Sequence, residues 1–185
     1  KGNIIFFKNH NALLSINGHE FTNSNLTFAS IYLIRDPRDV VISYSKFMNK
    51  TYDEIIDRLC TEKLYYTYSD NDFSKIAFLG SWKFNYISWR DGIPGMARIL
   101  IRYEDLLYDC EKYFSKVLSF LLKKMNTKID PIKLKEAIKN SSFKNLQKQE
   151  IRYGFIENDP NNKNLFFREG RSLQWKNLLN TNQIK

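Results

Sequence analysis

Residues 30–48 read Ser-Ile-Tyr-Leu-Ile-Arg-Asp-Pro-Arg-Asp-Val-Val-Ile-Ser-Tyr-Ser-Lys-Phe-Met. A short apolar, β-branched run ends at Arg35. The Asp36-Pro37 pair that follows is typical of a helix start, because Asp caps a helix and proline suits its first turn. Ser43 then lies on the predicted helix. A cation at the end of a strand, a helix N-terminus and a hydroxyl on that helix together favour phosphate. This stretch therefore predicts a strand–helix unit that binds a phosphorylated ligand.

The composition is that of a folded and basic protein. Its 185 residues are 43% hydrophobic and 15% aromatic, which predicts one globular domain rather than a disordered chain. The formal net charge of +9 admits nucleic acid, an anionic membrane or a phosphorylated small molecule as the partner. The lysines are scattered, and no recognition helix or RNA-binding motif is apparent. We therefore expect no nucleic-acid partner.

The sequence carries no pattern typical of a membrane or metal protein. It contains no run of about 18 apolar residues, so we expect no membrane association. Cys60 and Cys110 are the only cysteines, and their spacing indicates neither a metal site nor a disulfide framework. We therefore expect reduced thiols, no metal and a cytoplasmic location.

Short apolar runs alternate with helical patterns along the chain. The predicted strands are residues 4–7, 31–34 and 98–103, and the predicted helices are residues 37–49, 52–63, 81–89, 109–124 and 131–139. Residues 15–28 and 64–79 are predicted to be loops. This alternation predicts an α/β fold with a parallel β-sheet flanked by helices. Ligands of such sheets bind beyond the carboxyl ends of the strands.

Polar residues follow the predicted strand ends. In an extended segment Lys8 and His10 point to the same side, so the imidazole could take a proton while the ammonium stabilises negative charge nearby. The alternative is that His10 has a structural role. For His19, in the Asn-Gly loop, a structural role is expected. Tyr103 ends the third strand and is placed to face a ligand, whereas Glu104 and Asp105 suit a helix N-terminus.

A basic, irregular segment near the end of the chain offers a second anion site. It reads Arg168-Glu169-Gly170-Arg171-Ser172 and precedes Trp175. Its glycine would let the backbone approach an anion closely. The alternative is a surface loop that Trp175 anchors.

Together these motifs resemble the cytosolic-type sulfotransferases, which transfer a sulfuryl group from 3′-phosphoadenosine 5′-phosphosulfate (PAPS). The matching segments, in chain order, are Lys8-Asn9-His10, Arg35 to Ser43, Gly80-Ser81-Trp82 to Trp89, Tyr103-Glu104-Asp105-Leu106, Ser141-Ser142-Phe143 to Leu146, and Arg168-Glu169-Gly170 to Trp175-Lys176-Asn177.

The resemblance implies a fold, a co-substrate and a set of roles. It implies a single P-loop NTPase-like sulfotransferase domain over residues 1–185, PAPS as co-substrate, no metal, and a small-molecule acceptor with a hydroxyl or amine. His10 would be the general base, and Lys8 would stabilise charge on the transferred group. The implied nucleotide-binding residues are Arg35, Ser43 and Arg168 for the 3′-phosphate, Gly170 for backbone access to it, and Tyr103, Ser141 and Phe143 around the nucleotide.

The departures from the family pattern set further expectations. No segment matches the family's Pro-Lys-Ser-Gly-Thr-Thr-like loop for the 5′-phosphosulfate, so we expect a sequence that is incomplete at its N-terminus and is inactive or weakly active as it stands. We also expect a bacterial origin. Glu169 takes the place of a lysine. The family's dimer motif is not recognisable in residues 178–183, which leaves the oligomeric state open. A non-catalytic nucleotide-binding relict and a phosphotransferase of the same fold remain as alternatives.

Overall fold

The computed structural model describes residues 5–67, 76–125, 128–155 and 164–184. Within them the regular elements are β1 (Ser15–Ile16), β2 (His19–Glu20), β3 (Ala29–Ile34), α1 (Pro37–Met48), α2 (Tyr52–Cys60), β4 (Tyr65–Thr67), β5 (Ile76–Phe78), α3 (Trp82–Asp91), β6 (Ala97–Arg102), α4 (Tyr103–Tyr108), α5 (Cys110–Met125), α6 (Pro131–Asn140), α7 (Phe143–Tyr153), α8 (Trp175–Leu178) and α9 (Thr181–Ile184).

The chain forms two compact units. The first unit comprises Lys1–Phe28 and Ile56–Met96, and the second unit comprises Ala29–Ile55 and Ala97–Lys185. The first unit holds two antiparallel strand pairs, β1–β2 and β4–β5, with α3. The second unit holds the pair β3–β6 with α1 and the helices from α4 onward. In the described part of the chain, no helix is both long and apolar enough to cross a membrane.

The strands β3 and β6 confirm the predicted parallel pairing. They pair from Ala29 opposite Ala97 to Ile34 opposite Arg102. Because both strands end at the same level, the next residue of each, Arg35 and Tyr103, emerges at the same edge of the pair. The predicted α/β fold with a parallel sheet and flanking helices is therefore confirmed.

Helix α1 begins as its sequence predicts. The Asp36 side chain accepts a hydrogen bond from the Arg38 N–H at 2.9 Å, and Pro37 is the first helical residue. Hydrogen bonds from the Arg38 side chain, together with this backbone bond, lower the pKa of the Asp36 carboxyl against the opposing effect of burial. The helix ends at Met48, because Asn49 adopts a left-handed conformation with φ 51°. Its buried residues include Val41 and Ile42, which anchor the helix in the second unit.

The predicted strand at residues 4–7 is wrong for the part that the structure describes. Ile5, Phe6 and Phe7 lie outside any strand and are 70%, 70% and 84% exposed. An apolar run becomes a strand only where a neighbouring strand satisfies its backbone, and no described strand pairs with these residues. Ile4 lies outside the described residues.

Both predicted loops contain strands. Asn17 and Gly18 each have positive φ, 51° and 79°, as a two-residue type I′ hairpin turn requires, and they join β1 to β2. Within residues 64–79, β4 and β5 pair antiparallel, with Tyr65 opposite Phe78. Residues 68–75 between these two strands lie outside the described part.

Candidate functional site

Arg35 lies at the centre of a polar site in the second unit. Its guanidinium carbon is 4.6 Å from the centroid of the Tyr103 ring, as the register of β3 and β6 leads one to expect. Its Nη2 donates a hydrogen bond to the Arg171 carbonyl oxygen at 3.0 Å. The structure thus brings together two motifs that are 136 residues apart. Burial raises the pKa of the Tyr103 phenol, an effect that the nearby Arg35 charge opposes.

Asp39 holds the late segment against helix α1. Its fully buried carboxylate accepts hydrogen bonds from the Leu173 N–H at 2.7 Å and the Trp175 N–H at 3.2 Å. The Arg38 guanidinium carbon lies 3.6 Å from the centroid of the Trp175 ring, which adds a cation–π contact. Asp39 was not among the predicted site residues, since an acidic residue in a first helical turn is already explained by the helix dipole.

Helix α7 also holds the late segment, through the residues before Arg168. The Glu150 carboxylate is buried and accepts hydrogen bonds from the Phe166 N–H at 2.6 Å and the Phe167 N–H at 2.8 Å. One turn earlier, the Gln147 side-chain amide donates to the Phe167 carbonyl oxygen at 2.6 Å. The backbone before Arg168 is therefore fixed by side chains of α7. No helix was predicted for residues 143–153.

Phe143, at the start of α7, packs directly against Gly170. Gly170 has φ +60°, and a Cβ built on it would lie 2.4 Å from Phe143 Cδ2. Only glycine therefore fits at this position. This packing gives a reason for the glycine that is separate from the predicted approach of its backbone to an anion, and that role stays a prediction.

The two predicted serines, Ser43 and Ser141, lie on or next to helices of the second unit. Ser43 is half-buried on α1, four residues after Asp39 and so on the same side of the helix. Ser141 is exposed, and its Oγ donates to the Ala137 carbonyl oxygen at 2.6 Å at the end of α6. In this arrangement the Ser141 hydroxyl proton is committed to α6, and its oxygen lone pairs are what it can offer a ligand.

Arg35, Arg168 and Arg171 form what we call the arginine cluster. Arg168 Nη1 lies 2.8 Å from Glu169 Oε1, and Arg171 Nε donates to Glu169 Oε2 at 2.6 Å. Arg171 Nη2 also contacts Glu169 Oε2. Arg168 and Arg171 therefore share the Glu169 carboxylate. Arg35 instead contacts the Arg171 carbonyl oxygen and the Tyr103 ring.

Several buried polar atoms near the arginine cluster in sequence have no hydrogen-bond partner in the described part of the chain. Among the described residues, five buried side-chain nitrogen or oxygen atoms lack one, and three of them are Arg35 Nε, Gln174 Oε1 and Trp175 Nε1. An unsatisfied buried polar group costs about 1–3 kcal/mol, so most such groups are paired in folded proteins. Two of these three atoms, Arg35 Nε and Trp175 Nε1, are hydrogen-bond donors, which fits a site that binds an anionic ligand, whereas Gln174 Oε1 is an acceptor.

The predicted catalytic residues Lys8 and His10 belong to the first unit. Both are exposed, in a segment without regular secondary structure. Helix α3 holds this segment through three side chains. Asn85 Nδ2 donates to the His10 carbonyl oxygen at 3.2 Å, Trp89 Nε1 donates to the Asn11 carbonyl oxygen at 2.8 Å, and Ser88 Oγ accepts from the Leu13 N–H at 3.0 Å.

Strand β5 adds a second set of bonds to the same segment. The Ala12 N–H donates to the Phe78 carbonyl oxygen, and the Phe78 N–H donates to Asn11 Oδ1, both at 2.7 Å. The Gly80-Ser81-Trp82 to Trp89 motif therefore has a structural role that spacing alone did not reveal. It fixes the backbone next to His10.

A cavity of about 280 Å³ in the first unit begins directly after His10. It is lined mainly by apolar side chains, among them Ala12, Leu14, Phe21 and Phe78, and His19 also borders it. Such a pocket suits a small and largely apolar molecule. Of the aromatic residues 65, 66, 68, 73 and 78 considered for an acceptor pocket, Phe78 lines this cavity, whereas residues 68 and 73 lie outside the described part.

No metal site is apparent in the residues that the structure describes. No group of three or more His, Cys, Asp or Glu side chains is placed to hold a metal ion there. The expectation that the protein uses no metal stays a prediction.

Comparisons with known proteins agree on one family. Residues 7–185 match the family described as Sulfotransferase domain. Sulfotransferase 2A1 of Macaca fascicularis is 27% identical over 169 residues, which cover 84% of this chain and 52% of the relative. Cytosolic sulfotransferase 14 of Arabidopsis thaliana is 27% identical and is matched over 84% of this chain and 45% of its own length. The chain thus spans about half the length of the curated relatives that it matches.

Solved structures show the same fold. The mouse sulfotransferase SULT7A1 complexed with PAP superimposes with a TM-score of 0.59 at 18% identity, over 84% of this chain and 54% of that chain. Retinol dehydratase in complex with androsterone and the inactive cofactor PAP gives a TM-score of 0.58 at 14% identity, over 84% of this chain and 44% of that one. Since the family match also runs over nearly the whole chain, this protein belongs to the sulfotransferase domain family.

Proposed function

We propose that the protein transfers a sulfuryl group from PAPS to a hydroxyl or amine of a small-molecule acceptor. The observation that carries the proposal is the arginine cluster, which joins two motifs of the family at the end of the parallel strand pair. Arg35 offers a buried Nε without a partner among the described residues, and a phosphate oxygen is a strong acceptor for such a donor.

The donor nucleotide would be held by the second unit. Arg35 and Arg168 would bind the 3′-phosphate with the Ser43 hydroxyl, and the backbone at Gly170 would approach it. Phe143 and Tyr103 would frame the nucleotide with their rings, and Ser141 would accept a hydrogen bond from it. We assign no residue of this chain to the 5′-phosphosulfate, because the family's loop for that group has no match in the sequence.

The transfer itself would depend on the first unit. The acceptor oxygen or nitrogen attacks the sulfur, and the bond from sulfur to the bridging phosphate oxygen breaks. The product adenosine 3′,5′-bisphosphate (PAP) leaves with the electron pair of that bond. His10 takes the proton of the acceptor, and Lys8 stabilises the negative charge that develops on the bridging oxygen. The acceptor would lie in the apolar cavity that borders Phe21 and Phe78. A largely apolar alcohol, phenol or amine would fit that lining.

The 3′-phosphate assignment can be tested by binding alone. We expect the wild-type chain to bind PAP more tightly than adenosine 5′-phosphate, and we expect Arg35→Ala to remove most of that preference. A charge-assisted contact to a phosphate contributes about 1.5–3 kcal/mol, so PAP affinity should fall at least tenfold. Calorimetric titration of both nucleotides measures the effect.

The matched control is Arg98→Ala, which removes an exposed arginine from the other end of β6. It should leave both affinities within about twofold, since it changes the net charge equally without touching the cluster. If Arg35→Ala weakens both nucleotides to the same extent, Arg35 does not bind the 3′-phosphate. In a form of the protein that carries the 5′-phosphosulfate loop, PAP binding without any transfer to alcohols, phenols or amines would favour a nucleotide-binding relict over an enzyme.

The remaining expectations are part of the same proposal. A cytoplasmic location, a bacterial origin, a single domain over residues 1–185 and the lack of a nucleic-acid partner remain predictions.

A further inference from the structure

Glu169 forms ion pairs with two of the three arginines of the arginine cluster. Its Oε1 lies 2.8 Å from Arg168 Nη1, and its Oε2 accepts from Arg171 Nε at 2.6 Å. The Arg168 and Glu169 side chains are 30% and 29% exposed, so their pairing is partly shielded from solvent. In contrast, the ion pair of Arg90 with Asp91 involves side chains that are 50% and 60% exposed. Glu169 is therefore placed to act electrostatically on the cluster.

The backbone around Glu169 is held in place independently of its side chain. The residues before it are fixed by Glu150 and Gln147, and those after it by Asp39. Removing the Glu169 charge should therefore leave the path of the segment unchanged. What changes is the charge that an incoming anion meets.

A phosphate monoester and the Glu169 carboxylate would compete for the same guanidinium groups. A phosphate monoester carries about −1.5 to −2 charges at pH 7 and three acceptor oxygens, compared with one charge and two oxygens for the carboxylate. The phosphate can therefore displace the carboxylate from Arg168. Part of the binding free energy is lost in that exchange, because the ion pair with Glu169 has to be broken.

We propose that Glu169 is a built-in counter-ion of the 3′-phosphate site, which lowers the affinity for the bisphosphate nucleotide and speeds the release of PAP. The proposal rests on the proposed function, because it takes the arginine cluster as the 3′-phosphate site. When PAP leaves, the carboxylate returns to Arg168 and Arg171, so the cations do not have to be fully rehydrated. Product release limits the turnover of many enzymes, and such a counter-ion acts on that step.

The test is Glu169→Gln, which keeps the shape of the side chain and removes its charge. We expect the Kd for PAP to fall about three- to tenfold, with most of the change in the dissociation rate. The Kd for adenosine 5′-phosphate, which has no 3′-phosphate, should stay within about twofold. Calorimetry gives the affinities, and stopped-flow displacement of PAP gives the rate of release.

Two further variants make the result decisive. Glu136→Gln removes an exposed carboxylate from α6, changes the net charge equally and should alter neither affinity. Glu169→Lys adds a cation and should bind PAP more tightly than Glu169→Gln does. If Glu169→Gln leaves PAP binding unchanged or weakens it, the counter-ion proposal is wrong. The same holds if adenosine 5′-phosphate gains as much affinity as PAP.

The proposed function and this inference fail in different ways. If the wild-type chain shows no preference for PAP over adenosine 5′-phosphate, the 3′-phosphate site itself is wrong, and the counter-ion proposal falls with it. If the wild type shows the preference but Glu169→Gln does not increase it, only the role of Glu169 is refuted.

Discussion

At the scale of single residues, the segment that follows the arginine cluster is held by polar groups whose partners lie far away in the sequence. Asp39 is fully buried and accepts two backbone N–H groups from the segment at Leu173 and Trp175. A buried carboxylate with two donors contributes to stability and also places the backbone that follows the arginine cluster. These two effects can be separated experimentally.

We expect Asp39→Asn to destabilise the protein by about 1–3 kcal/mol, because the amide would turn one N–H group towards a backbone N–H. Chemical denaturation measures the loss. PAP affinity should fall as well, since Leu173 and Trp175 follow Arg171 within four residues. Asp57→Asn, at an exposed position of α2, should change neither quantity. Normal PAP affinity in a destabilised Asp39→Asn variant would show that Asp39 has no part in placing the cluster.

A site residue was predictable from the sequence when its interaction partners lie close to it along the chain. Arg35, with Asp36 and Pro37, was recognisable because capping and strand ends are local patterns. Glu150 and Asp39 were not, because each is a buried carboxylate whose donors lie 16 or more residues away. Glu169 was noticed as a departure from the family pattern, but its two arginine partners became apparent only in the structure.

At the scale of secondary structure, helix α3 supports the segment that carries the proposed catalytic residues. Its side chains bind the backbone at three residues between His10 and Leu13. The helix itself begins at a cap, since Ser81 Oγ accepts from the Phe84 N–H at 3.1 Å. If His10 is the general base, Asn85 is a positioning residue for it rather than a catalytic one.

In a form of the protein that carries the 5′-phosphosulfate loop, we expect Asn85→Ala to lower kcat about ten- to hundredfold, because a small displacement of a catalytic group is costly. PAP affinity should remain unchanged, since the proposed nucleotide-binding residues belong to the second unit. In a His10→Ala background, Asn85→Ala should have little further effect on kcat, which a purely destabilising change would not reproduce. Lys83→Ala, at an exposed position of the same helix, is the control. Additive losses in the double variant would contradict the positioning role.

The elements also show where sequence patterns succeed and fail. Helix α1 was predicted to within one residue, because its caps are part of its own sequence. The strand expected at residues 4–7 depended on a neighbouring strand that the described residues do not supply. Helix α7 escaped prediction because its buried side carries Glu150 where an apolar residue would give the helical period. The hairpin β1–β2 was missed although its Asn17-Gly18 turn is a specific signal.

At the scale of the whole molecule, the charge of +9 adds a general attraction for anions to the specific site. Charges farther apart than about 8 Å are screened at physiological ionic strength, whereas direct contacts in a partly buried cluster are screened less. We therefore expect any binding of duplex DNA to be lost between about 50 and 200 mM salt. PAP binding should weaken much less over the same range. Fluorescence titrations with both ligands measure this difference, and DNA binding that persists at the higher salt would revive a nucleic-acid partner.

The bond from Arg35 to Arg171 spans 136 residues, and the bonds of Asp39 span 134 and 136. During synthesis, α1 can form soon after it leaves the ribosome, because its capping bonds lie within a few residues. The proposed 3′-phosphate site, however, cannot be completed until the segment up to Trp175 has emerged. A nucleotide bound there therefore cannot assist the folding of the second unit before that segment has been made.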